Sequence, residues 1–139
     1  MLSLYWKKRS EKTFTTRNKM KKRTLVLGAS ENTERYAAKA IQRLLNEGHE
    51  VVAVGLRKGN VHGVTIHTQE VIFENIDTIT LYVGPKNQLN WYKYILTTNP
   101  KRIIFNPGTE NVSLEILASE KGIEVISACT LVLLATGSY

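Results

Sequence analysis

From Arg23 onward the apolar residues follow two alternating rhythms, with short β-branched runs separated by segments whose apolar positions recur three and four residues apart. The first run predicts a strand over 24–27. A helix over 34–47 follows, with Ala37, Ala40, Ile41, Leu44 and Leu45 on one face and Gly48 as its stop. The continuous run at 50–54 reads as a strand covered on both sides. Residues 55–75 are looser, rich in Gly and β-formers, with room for a short strand near 64–67. Strands are then predicted over 78–83, stopped by Gly84 and Pro85, over 102–105, broken by Asn106-Pro107-Gly108, and over 124–126. Helices fill the intervals: 86–98 with Leu89, Tyr92, Ile95 and Leu96 inward, and 111–121 with Leu114, Leu117 and Ala118 inward. A short apolar helix over 131–135 closes the chain.

Strand, helix, strand repeated in this order requires right-handed crossovers. The expected fold is α/β: a Rossmann-like, doubly wound, mainly parallel five-stranded sheet with helices on both faces. Ligands of such sheets lie across the carboxyl ends of the strands, where the strand order reverses, so the residues after each strand carry the chemistry.

The first strand ends in Gly28-Ala29-Ser30 and leads into a helix. A small-residue turn there lets the following helix present its free N–H groups and the positive end of its dipole to an anion. Ser30, Asn32 and Thr33 are also good helix caps, so a plain strand-to-helix connection is the competing reading. Against the dinucleotide pattern, Gly28 fills the first glycine position, but Ser30 and Thr33 stand at the second and third. The second strand ends in Gly55-Leu56-Arg57-Lys58, without the carboxylate that holds the ribose hydroxyls of NAD. Two cations there favour a nucleotide with an extra ribose phosphate, as in NADP or coenzyme A, the alternative being a solvated turn. The third strand end, Val83-Gly84-Pro85, holds no titratable group. The fourth offers the Asn106 amide and a close backbone approach at Gly108, with Thr109 or Asn111 to cap the next helix. Cys129 follows the fifth strand without a nearby His or Asp to activate it, and reads as a small buried or pocket-lining residue. His49, His62 and His67 have no catalytic partner in sequence. No catalytic residue and no metal-ligand spacing is identified.

Composition changes this picture in one respect. The 139 residues are 42% apolar, enough for one domain, and carry a net charge of +7. Nine of the basic residues and one acid fall within residues 1–23, leaving ten basic against eleven acidic residues in the remainder. The charge therefore belongs to a basic arm, residues 1–22, which reads as disordered, ahead of a single domain at 23–139. The domain itself offers no broad nucleic-acid surface. In the arm, Met20 is an alternative natural start. Leu4, Tyr5 and Trp6 beside Lys7, Lys8 and Arg9 allow contact with a membrane surface or a single nucleic-acid strand, and the acid-poor composition also suits a transit leader. No segment reaches the about 20 apolar residues of a membrane span, and a single Cys suits a reducing, cytoplasmic setting.

Taken together, Val26 to Ser30, Gly55 to Gly63, Val83-Gly84-Pro85, Asn106 to Glu110, Gly122 to Ile126 and Cys129 resemble the small stand-alone CoA-binding domain proteins. These are similar to the nucleotide-binding domain of the succinyl-CoA synthetase alpha subunit. The likeness covers about residues 21–134. It implies that Gly28, Ala29 and Ser30 lie under the CoA phosphates, that Arg35, Arg57 and Lys58 contact phosphates, and that Val83, Pro85, Asn106 and Gly108 border the adenosine or pantetheine path. The chain departs from the family pattern at Gly55-Leu56, where Asn-Pro is usual, at Ser127-Ala128, where Asp-Arg is usual, and at Glu31-Asn32, which replace a Pro. The synthetase's phosphorylated histidine belongs to a second domain, so no catalytic activity transfers. The expected function is a CoA-binding module without catalytic machinery. A small NADP-dependent reductase and a vestigial Rossmann-like protein-interaction subunit are the alternatives.

Overall fold

A computed structural model describes residues 21–139; the expectations for residues 1–20 lie outside the described residues. The elements, in chain order, are β1 (Thr24–Leu27), α1 (Tyr36–Asn46), β2 (Val51–Val54), β3 (Gly59–Val61), β4 (Val64–His67), β5 (Thr78–Leu81), α2 (Pro85–Gln88), a 3-10 turn (Leu89–Trp91), α3 (Tyr92–Thr98), β6 (Arg102–Phe105), α4 (Val112–Glu120), β7 (Glu124–Ser127) and α5 (Thr130–Ala135).

The strands form one sheet in the order β3-β4-β2-β1-β5-β6-β7. All pairs are parallel except β3 with β4. The five-stranded expectation is therefore corrected to a mixed, seven-stranded sheet. The extra strands are a hairpin in the looser region. The 64–67 strand is the short one expected from the sequence, while β3 is an addition. His62 (φ 52°) and Gly63 (φ 81°) form a two-residue connection with both φ positive, the geometry that matches hairpin twist. The usual Asn-Gly or Asp-Gly signal is replaced by His-Gly, and β3 has a single branched apolar residue, so the sequence hides the hairpin.

β1 is the central strand of the seven, with Leu25 registered between Val52 and Ile79. Its side chains alternate between two cores. Leu25 and Leu27 pack with Ile79, Leu81, Ile103, Phe105 and residues of α3 and α4. Val26 packs on the other face with Ala53, Ile104, Ala37, Ala38, Ile41 and Leu44 of α1 and Leu134 of α5. Helices thus cover both faces, and the chain leaves β1 toward β2 on one side and returns to β5 on the other.

The helix expected over 86–98 is broken. After Pro85 at the first helical position, a 3-10 turn intervenes at Leu89–Trp91. Three residues per turn instead of 3.6 advances the phase, so Trp91, Tyr94 and Ile95 are buried and Leu89 is 71% exposed rather than inward. Leu45 and Leu117, also expected inward, are partly exposed at the margins of their helices.

At the amino-terminal edge of the sheet, Tyr139 lies beneath β1 and β6. Its hydroxyl shares a 2.5 Å hydrogen bond with Thr24 Oγ1, and Arg102 Cζ stands 4.5 Å from its ring centroid. His49 meets the same ring edge-on and accepts a 2.9 Å hydrogen bond at Nδ1 from the Lys22 N–H.

Candidate functional site

At the carboxyl edge, the turns after β1, β2, β5 and β6 are held together by close backbone approaches and side-chain amides. Gly28 has φ 101°, a conformation open to glycine. A Cβ built on it would stand 2.8 Å from the Tyr82 carbonyl oxygen, so the turn lies directly against the end of β5. Gly55 is tighter: its Cβ would stand 2.2 Å from the Ala29 carbonyl oxygen. The β1 turn is therefore wedged between the ends of its two neighbouring strands, and both contacts require the absence of a side chain.

Pairing with β2 extends past the end of β1. The N–H groups of both Gly28 and Ala29 donate to Val54 O, at 2.9 and 3.0 Å. These two residues supply shape and leave donor work to those that follow. Asn32 N–H donates to Ser30 Oγ (3.1 Å) and Glu34 N–H to Asn32 Oδ1 (3.0 Å), so Ser30 and Asn32 fold the loop locally and neither caps α1. The N-cap position is Arg35, which makes no capping bond, and the first turn has no acidic residue. Among the described residues, the N–H groups of Ser30, Glu31, Tyr36, Ala37 and Ala38 find no acceptor. Ala37 and Ala38 are buried. The first N–H groups of a helix have no partner within it, and an anion above this turn would satisfy them.

Arg57 and Lys58, both exposed, lie in the connection from β2 to β3. This loop meets the β1 turn through Glu31, whose Oε2 accepts from Asn60 N–H at 3.1 Å. Neither cation forms an ion pair among the described residues. Arg35, also exposed, opens α1.

On the other flank, Asn106 behaves differently from the expectation of a ligand-facing amide. It is 3% exposed, donates from Nδ2 to Thr80 Oγ1 (2.8 Å) and Leu81 O (3.0 Å), and accepts at Oδ1 from Thr130 N–H (2.8 Å). Asn106 pins the ends of β5 and β6 to the start of α5. Gly108 (φ 91°) is exposed and its N–H donates to Glu110 Oε1 at 2.6 Å. Val83 is half-buried, and its carbonyl accepts from Gln88 Nε2 at 2.7 Å; the same nitrogen donates to Thr109 O at 2.7 Å. Asn111 Nδ2 donates to Gln88 Oε1 and to the Tyr92 hydroxyl, both at 2.8 Å, while Asn111 also caps α4 as expected. Through Gln88 and Asn111 the loop of Val83 and Pro85 and the loop of Gly108 become one rim. Sequence reasoning missed Gln88, since nothing distinguishes a buried amide within Lys86-Asn87-Gln88. It also missed Tyr82, whose backbone abuts Gly28. Burial pushes the Tyr82 phenol up to about 12, against the opposing effect of the Thr80 and Thr130 hydroxyls it faces. It stays protonated at neutral pH.

Cys129 is half-buried at the N-cap of α5. His49 is committed to Lys22 and Tyr139 at the opposite edge of the sheet. No cluster of metal-capable side chains occurs among the described residues, and none of their helices is long and apolar enough to cross a membrane.

A wedged glycine turn, an uncapped helix start and flanking cations thus lie together at the point where strand order reverses, the place where open α/β sheets bind their ligands. The chain belongs to the CoA binding domain family, whose model matches residues 22–135. An uncharacterized protein of known crystal structure is 52% identical, covering 86% of this chain and 98% of its own, with a TM-score of 0.83. A conserved hypothetical protein from Pyrococcus furiosus is 26% identical over 80% of this chain and 97% of its own, with a TM-score of 0.68. A Thermus thermophilus protein at 18% identity covers 92% of this chain and 98% of its own with a TM-score of 0.78, a likeness of fold. No curated protein matches the chain.

Proposed function

We propose that this protein binds coenzyme A as a non-catalytic module, on a Rossmann-like sheet, with the diphosphate seated over the Gly28 turn. The observation that carries the reading is the uncapped start of α1 directly after the wedged Gly28 turn, in a chain of the CoA binding domain family. Main-chain donors from Ser30 and from the first turn of α1 hold the diphosphate, with the helix dipole adding to the attraction. Gly28 and Ala29 form the floor. Arg35 stands beside the same helix start. Arg57 and Lys58 take the phosphate on the ribose, the group that separates CoA from dephospho-CoA, through charge-assisted bonds. Val83, Pro85 and Gly108 form the opposite rim, and Asn106 holds that rim in place from beneath.

Thermal unfolding with CoA, dephospho-CoA and NADP tests this. A ligand at one hundred times its dissociation constant adds about 2.7 kcal/mol of stability. CoA is expected to stabilise more than dephospho-CoA, and Arg57→Ala to narrow that difference. Absence of any shift with CoA at millimolar concentration refutes the assignment.

A further inference from the structure

Resting on the CoA reading above, we infer that Glu31 is a positioning residue that selects ligands carrying a ribose phosphate. Glu31 belongs to the β1 turn, yet its carboxylate reaches across to the loop after β2 and accepts the Asn60 N–H at 3.1 Å. Room for this reach exists because residue 59 is glycine: a Cβ there would stand 2.6 Å from Glu31 Cδ and 2.9 Å from Oε2. Asn60 and Gly59 directly follow Lys58 and Arg57. The contact therefore links two different groups, the amide-bearing turn for a diphosphate and the exposed cations, unpaired among the described residues, for a second phosphate.

Two phosphate subsites discriminate only if their separation is held, since a floating cationic loop meets either ligand with a similar loss of freedom. The Glu31 bond fixes that separation. It also gives the carboxylate a backbone donor at the start of β3. The ligand class selected is an adenosine diphosphate ester with an additional phosphate on its ribose.

Isothermal titration of the full chain with CoA and with dephospho-CoA, for the wild type and three variants, tests this. Glu31→Ala removes carboxylate and brace together. Gly59→Ala keeps the charge but displaces the flexible end of Glu31. Glu31→Gln keeps an acceptor for Asn60 N–H without the charge. The wild type is expected to prefer CoA by about tenfold, the scale of one charge-assisted phosphate contact. Glu31→Ala and Gly59→Ala are expected to reduce that ratio to about threefold or less, and Glu31→Gln to retain it. A merely structural role would weaken both ligands alike and leave the ratio intact; that result overturns the inference while leaving CoA binding in place. Equal affinity of the wild type for both ligands also overturns it. Failure of the wild type to bind CoA removes the functional reading and this inference with it.

Discussion

Replacing Gly55 by alanine tests how the site is built without touching a ligand contact. The added Cβ would stand 2.2 Å from the Ala29 carbonyl oxygen, where real Cβ atoms essentially never come within 3.0 Å. The β1 turn or the end of β2 must therefore yield by about 0.8 Å, and the obstacle is backbone, which cannot rotate away as a side chain would. Overpacking of this kind costs about 1–3 kcal/mol, and the backbone obstacle places it toward the upper end. The reduced freedom of the unfolded chain offsets about 0.4–1 kcal/mol. A net loss of about 2 kcal/mol follows, or a fall in melting temperature of about 8 °C for a domain of this size. Gly84→Ala is the matched control, because Gly84 has φ −64° and open space around its Cβ position. It should leave stability unchanged or raise it by up to about 1 kcal/mol. Urea unfolding read by circular dichroism, with equal m-values required, measures both. A Gly55→Ala protein within about 0.5 kcal/mol of the wild type would show that the two strand ends are not wedged, and the account of the turn would fail.

Asn106→Ala removes the partner of Thr130 N–H and Leu81 O in a buried setting, which predicts a loss of about 2–3 kcal/mol in the same urea assay; less than about 1 kcal/mol would contradict its role as a pin. His49 predicts a pH dependence. Burial and the nearby Lys21 and Lys22 hold its pKa below the usual 6.5, with Glu47 opposing. The neutral ring accepts that N–H, so its contribution to stability is complete above about pH 6.5 and is lost as the pH falls through the lowered value. Thermal melts between about pH 8 and pH 5 should show a steeper acid-side decline in the wild type than in His49→Asn; parallel curves would exclude the mechanism.

The sequence was legible where one short-range pattern determined the outcome. Thr24–Leu27 and Arg102–Phe105 are strands at the predicted residues, because Leu25–Leu27 and Ile103–Phe105 are uninterrupted apolar runs covered on both faces. The glycine turn after β1, the Asn111 cap and the order of the elements were readable for the same reason. The β3–β4 hairpin was only half legible, since its turn adopts positive φ at a His-Gly pair without the usual signal. Leu89, expected inward, is exposed where a 3-10 turn, invisible in the residue spacing, breaks the helical phase.

Residue order alone thus determined where most of the strands and helices lie, that the sheet is mainly parallel, and which strand ends carry glycine, amide and cationic groups. The tertiary structure alone decided which of those groups face one another. It turned Asn106 inward, left the start of α1 without acceptors and joined Glu31 to Asn60. The reason is physical: periodicity is set by neighbours a few residues apart, whereas a hydrogen-bond partner 29 residues distant exists only once the sheet has brought its strand ends together.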